Sequence, residues 1–189
     1  MTSSVRRAYG ELDRDQVVTA LTALARRVGV QRVTMRELAA ELGAAAPSVY
    51  YHVPNKQAAL HLLGEAVLAG IPEPGPGPWQ QRLVELYCSS REILLDVPGI
   101  AGVLQSDGDG EYARRQDRLS RALIAHAGAP KNVAAAAHAV LYTYLLGSVG
   151  LQESRPAQAR KPSARQAASR FRTGLEVIVA GVQAVAESR

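Results

Sequence analysis

The chain has 189 residues, 47% of them hydrophobic and 21% charged, with a formal net charge of +5. That length suits one large helical domain or a small head on a larger body. The single cysteine, Cys88, excludes an internal disulfide and a thiolate metal cluster, and it points to the cytosol. Aromatic residues make up only 5% of the chain and alanine abounds, which favours closely packed helices over a β-sandwich. The expected fold class is all-α.

Residues 1–12 read as a flexible basic arm carrying Arg6 and Arg7, and MTSSVRR is followed by no apolar segment of the kind a signal peptide needs. Asp13 can cap the first helix, with Gln16 completing its box. Val17, Ala20, Leu21, Leu24 and Val28 follow the helical period, and Gly29 closes the element. In the stretch Thr34 to Lys56, Thr34 and Glu37 form a second capping box, and Met35, Leu38, Ala39 and Leu42 share a face. Gly43 then stops the helix. Pro47 suits a first helical turn, so a second short helix is expected from Pro47 to Val53. Val49 and Val53 lie on its inner face, and Ser48, Tyr50, Tyr51 and His52 point largely outward. Pro54 ends it, and Asn55 can cap the next helix. Two helices meeting at a glycine turn, the second presenting hydroxyls and an imidazole, form the geometry that places a recognition helix in the DNA major groove.

VTMRELAAELG followed by PSVYYHVPNKQAAL resembles the TetR family of bacterial transcriptional regulators, and order and spacing match without a gap. The resemblance implies phosphate contacts from Thr34 and Lys56, and phosphate or groove contacts from Tyr50 and His52. It places Met35, Arg36, Pro47, Ser48 and Tyr51 near the DNA. It also places Ala46 at the entrance of the recognition helix, where the tetracycline-repressor branch carries an amide able to reach a base. Residues 13–56 would then be the helix-turn-helix DNA-binding domain and residues 57–189 the ligand-binding and dimerisation domain.

From Asn55 a longer helix runs through Leu60, Leu63, Val67 and Leu68 to about Gly70, beginning at the head and ending in the body. IPEPGPGP, residues 71–78, cannot be helical. Trp79 opens a helix with Leu83, Leu86, Tyr87, Ile93 and Leu94 that ends near Val97. Residues 100–105 fit a short helical turn. SDGDGE lacks the twelve-position ligand pattern of an EF-hand and reads as a solvent loop. Residues 111–127 form a charged helix with Arg114, Arg115, Arg118 and Arg121 outward, an ordinary solvated face.

Val133 to Leu151 runs for about nineteen residues without a charge, close to a bilayer span. It is rich in small residues and carries His138, Tyr142 and Tyr144, and no second segment matches it, so no membrane partner is expected. ESRPAQARKPSA then forms a polar loop, and the last helix is expected over about residues 166–186. It carries two apolar stripes: Phe171, Leu175, Ile178, Val182 and Val185 on one side, Val177, Gly181 and Ala184 on the other.

Two helices with more apolar surface than one core needs imply a second copy of the same pair. The expected interface uses Leu141, Leu145, Ser148, Phe171, Leu175, Ile178 and Val182. FRTGLEVIVAGVQ and WQQRLVELYCSSREILL are similar to body helices of the tetracycline-repressor branch. That branch would need polar, aromatic or imidazole ligands where this chain has Pro72, Leu86, Ser90 and Leu104, which argues against a tetracycline–Mg²⁺ site. The expected pocket is instead lined by Leu63, Val67, Leu86, Ser90, Ile93, Leu104 and Tyr142 and suits an apolar or aromatic molecule, although the same residues could simply form the core.

No phosphate-binding glycine loop, HExxH pair or paired nucleophile and base occurs in the sequence. No catalytic residue, metal site or cofactor is expected. The function expected is a ligand-responsive dimeric repressor on a palindromic operator in double-stranded DNA, released by a small-molecule effector. A purely structural helical dimer is the alternative, and it leaves the outward Tyr50, Tyr51, His52 and Lys56 unexplained.

Overall fold

The computed structural model describes residues 12–106, 110–154 and 162–188. The basic arm with Arg6 and Arg7, the centre of SDGDGE and residues 155–161 of the later loop lie outside them. The described residues form α1 (Arg14–Val28), a 3-10 turn (Val30–Arg32), α2 (Met35–Leu42), α3 (Ala46–His52), α4 (Lys56–Ala69), α5 (Trp79–Leu95), α6 (Ile100–Ser106), α7 (Glu111–Ala125), α8 (Lys131–Glu153) and α9 (Ala164–Glu187), with no strand among them.

The ends of these helices follow the capping chemistry of the sequence. Asp13 and Gln16 cap α1 reciprocally, Thr34 and Glu37 do the same for α2, and Asn55 accepts the Ala58 amide at 2.8 Å to start α4. A third box, Ser163 with Gln166, starts α9 slightly earlier than expected. Each such cap contributes roughly 1 kcal/mol. Gly43 sits at φ 60°, ψ 25°, the left-handed conformation that ends α2 and turns the chain into α3. Helix α3 begins one residue earlier than expected, with Ala46 in its first turn beside Pro47 and with Val53 as its C-cap.

In the head, Val17, Leu21 and Leu24 of α1 meet Leu38 and Leu42 of α2 and Val49 of α3 in one buried core. Helix α4 packs on α1 toward its start and on α6 and α7 further along, so it belongs to both halves. In the body, α5 is surrounded by α7, α8 and α9. Helix α8 is long and apolar enough to cross a bilayer, but Ala134, Ala137, Leu141, Leu145, Leu146 and Val149 are buried in the helical core.

This arrangement corrects the expected interface. Leu141, Leu145, Phe171, Leu175 and Val182 are buried within the single chain, and Ser148 and Ile178 are half-buried. The more apolar stripe of each helix covers the chain's own α5, because burying the larger area at home stabilises the protomer most. What α8 and α9 leave outside is the second stripe: Val140, Thr143, Gly147 and Leu151 on α8, and Thr173, Val177, Gly181 and Ala184 on α9. Leu151 is 69% exposed and Val177 68%.

The residues expected to line a pocket lie in or against the core of the body. Leu63, Val67, Leu86, Ser90 and Leu104 are buried core, and Ile93 and Tyr142 are half-buried. Ser90 spends its hydroxyl on the Leu86 carbonyl at 2.7 Å, a bond within its own helix.

Candidate functional site

The head presents its predicted DNA contacts at the surface. Tyr51 is 81% exposed, and Tyr50, Arg36, Ala46, Pro47 and Lys56 are also exposed, while Met35, Ser48 and His52 are half-buried. Val49 and Val53 are buried beneath them, which fixes the rotation of α3 and hence which side chains face outward. The Tyr51 ring lies edge-on to His52 with centroids 5.2 Å apart. The Thr34 hydroxyl is occupied: it accepts the Glu37 amide and donates to the Glu37 carboxylate at 2.9 Å. Lys56 Nζ donates to the Gln31 carbonyl at 3.3 Å, so in this state it ties the start of α4 to the turn before α2. Beside α3, a shallow hollow of about 600 Å³ is lined by Arg14, His52, Asn55, Gln57 and His61. Hydrogen-bond donors gathered there suit a phosphate backbone.

Two links join head to body. Glu65 of α4 accepts the Tyr112 amide at 3.1 Å and so caps the first turn of α7. At the other, the Val30 amide donates to the Pro98 carbonyl at 2.8 Å, and the neighbouring Gly99 amide donates to the Glu153 carboxylate of α8 at 2.9 Å. Arg26 adds an ion pair to Asp96 at 2.8 Å across the same boundary, exposed on both sides and therefore weak.

The body holds two polar features on α5, a helix whose periodicity reads simply as core. One is a chain of hydrogen bonds through Tyr87, whose hydroxyl lies 3.1 Å from both Ser120 Oγ and His138 Nδ1, while His138 Nε2 lies 3.2 Å from Asp117 Oδ1. Arg121 holds the same carboxylate oxygen at 2.6 Å, and Tyr142 stacks on the His138 ring. A neutral imidazole fits this chain: it accepts from Tyr87 at Nδ1 and donates to Asp117 at Nε2. Burial raises the Tyr87 and Tyr142 phenols and pushes His138 below its ordinary 6.5; the nearby Asp117 opposes that shift and Arg121 adds to it. The unfolded chain therefore takes up the proton first as pH falls. Stability should be fully present above about pH 6.5 and decline as pH drops through the lowered native value. Thermal melts between about pH 7.5 and about pH 5.5 should show a loss that His138→Gln flattens. A His138→Gln profile parallel to the parent's would assign the dependence to another group.

The other feature is Arg91, which sequence reasoning missed. It lies four residues after Tyr87 on the buried stripe of α5, and a cation on that stripe was the available signal. It is one wall of a cavity of about 610 Å³ between α8 and α9, where Ser148 and Phe171 also lie. None of the seven residues expected to form the pocket lines it.

Residues 17–63 match the family model of bacterial regulatory proteins of the tetR family, and residues 71–170 match the tetracyclin repressor-like C-terminal domain. An HTH-type transcriptional regulator of Saccharopolyspora erythraea is 32% identical over 75% of this chain, an alignment that spans 61% of that regulator's length. The class G tetracycline repressor protein of Vibrio anguillarum is 34% identical over 80% of this chain and 74% of its own. Among solved structures, apo ActR of Streptomyces coelicolor superposes with a TM-score of 0.80 at 25% identity, covering 96% of this chain and 99% of ActR. ActR has also been solved in complex with actinorhodin. With both of its halves matched and its head and body in the same order, this chain belongs to the TetR family of bacterial transcriptional regulators.

Proposed function

We propose that the chain is a dimeric transcriptional repressor that binds a palindromic operator through α2 and α3 and is released by a small effector acting on its body. The carrying observation is α3 itself: a seven-residue helix anchored by Val49 and Val53 that leaves Tyr50 and Tyr51 in solvent, at the end of a capped α2 and a left-handed Gly43 turn. A core-packing helix has no use for two exposed tyrosines, whereas a recognition helix does. One such helix reads few bases, so a second copy at about one helical turn is needed, and the uncharged outer stripes of α8 and α9 supply a face for it. A bacterial protein acting on the chromosome belongs in the cytoplasm. The effector class favoured is an apolar or aromatic molecule, as the predominantly apolar body suggests; ActR, which shares this fold, binds a small molecule.

The test is binding of the purified protein to DNA from its own upstream region at several salt concentrations. Lys56→Ala should weaken binding to all sequences alike and lower the salt slope by roughly one unit. An unchanged slope would remove Lys56 from the interface. Arg36→Ala should instead relax preference at one operator position, at a cost of roughly 1 to 3 kcal/mol if it reads a guanine. Ala46 offers only a methyl group, so Ala46→Gln should change the preferred base at one position of each half-site without affecting dimerisation. Selection from a randomised DNA pool gives the answer, and a profile identical to the parent's would mean that position 46 does not face the groove.

A further inference from the structure

The capping boxes of α1, α2 and α9 are not built alike. In those of α1 and α9 the side chain that reaches back to the N-cap amide is a glutamine, Gln16 at 3.4 Å and Gln166 at 3.0 Å. In that of α2 it is Glu37, whose Oε2 accepts both the Thr34 amide at 3.1 Å and the Thr34 hydroxyl at 2.9 Å. The cap does not need the charge, because glutamine serves the same box. Nor is the charge neutralised: among the described residues no cation pairs with Glu37, whereas Glu41, one turn on, is held by Arg27. Thr34, Arg36 and Glu37 are all exposed, and Lys56 Nζ reaches the Gln31 carbonyl just ahead of them. The start of α2 thus carries an anion of its own at the place where a helix N-terminus would attract one from outside.

Resting on the regulator reading above, we propose that Glu37 competes with a DNA phosphate for the Thr34 hydroxyl and so holds down the affinity of the head for duplex DNA of any sequence. A hydroxyl has one proton to give. In the free protein it goes to a carboxylate, an acceptor that holds a donor about twice as strongly as a neutral oxygen does. To meet a phosphate the hydroxyl must leave Glu37, and the carboxylate then stands beside a second anion. Lys56 has no such rival, since its ammonium carries three protons and the neutral Gln31 carbonyl takes one. Phosphates carry no base identity, so the penalty falls on operator and unrelated DNA alike. A larger share of the hold on the operator is then left to what α3 reads.

The experiment measures binding of the full-length parent, Glu37→Gln, Thr34→Val and the double variant to two duplexes of equal length, DNA from the chain's own upstream region and an unrelated sequence. Glu37→Gln keeps the box and should bind both duplexes about fivefold more tightly, the effect of removing one like charge at about 4 Å in water. In the Thr34→Val background there is no hydroxyl to release, and the gain from Glu37→Gln should shrink to less than about twofold. Binding that is unchanged or weaker in Glu37→Gln would overturn the proposal, and this variant decides alone where Thr34→Val does not fold. A gain that survives whole in the Thr34→Val background would overturn it as well, since a bare charge effect needs no hydroxyl. So would a gain confined to the upstream DNA, which would make Glu37 a reader of sequence. A folded parent that binds neither duplex would overturn the regulator reading, and the role of Glu37 with it; in the other cases the parent binds and that reading stands.

Discussion

Val177→Asp is expected to turn the dimer into folded monomers and, through that alone, to reduce operator affinity by more than about 100-fold. Val177 lies at the centre of the outward stripe of α9, between Thr173 and Gly181, and it is exposed in the single chain. The protomer therefore loses nothing internal when it changes. At a twofold interface the substitution places two carboxylates in an apolar stripe, each costing several kcal/mol to desolvate. Leu141→Asp is the contrasting variant. Leu141 is fully buried on the inner stripe of α8, so the same carboxylate enters the protomer's own core and should unfold the chain. Light scattering and circular dichroism separate the two outcomes. A Val177→Asp protein that remains dimeric, or a folded monomer from Leu141→Asp, would restore the interface read from the sequence.

The head was legible from sequence because its information is local. Capping boxes at Asp13 and Thr34, a left-handed Gly43 and an N-terminal proline each fix a chain direction within a few residues, and the structure places them where the spacing put them. The body helices were legible as elements for the same reason. Which of their faces meets what was not. Helix α8 is apolar all round, so periodicity has no phase to report, and on α9 the assignment of inner and outer stripe depends on where α5 lies. The pocket poses a similar difficulty: Leu63, Leu86 and Leu104 are residues that either a pocket or a core would use, and all three are buried. Arg91 shows the better criterion, since a charged side chain on a buried stripe must be explained by a partner, whereas a leucine there needs none.

Gly110→Ala is expected to leave dimerisation and operator binding near the parent's values while disconnecting the body from the head. Gly110 has φ −72° and ψ 171°, extended backbone open to any residue, so its glycine is not there for conformation. It is there for space: a Cβ would stand 2.0 Å from Glu65 Oε1 and 2.2 Å from its Cδ. Glu65 belongs to α4, the helix that starts at the head, and its carboxylate takes the Tyr112 amide at the start of α7, where the helix dipole favours an anion and Gly110 offers no side-chain cap. Alanine must turn Glu65 away, at a stability cost of roughly 1 kcal/mol. Coupling between two sites is reciprocal, so operator binding at the head must alter the body by the same factor that a change in the body alters the head, typically about 5–150-fold. In the parent, adding operator should change amide hydrogen exchange in the first turn of α7 within that range, and in Gly110→Ala the change should disappear. Glu65→Gln, which keeps a neutral acceptor for the Tyr112 amide, should retain part of it. If Gly110→Ala responds to operator like the parent, the message does not pass from α4 to α7 through Glu65, and the link from Val30 through Pro98 and Gly99 to Glu153 is left to carry it.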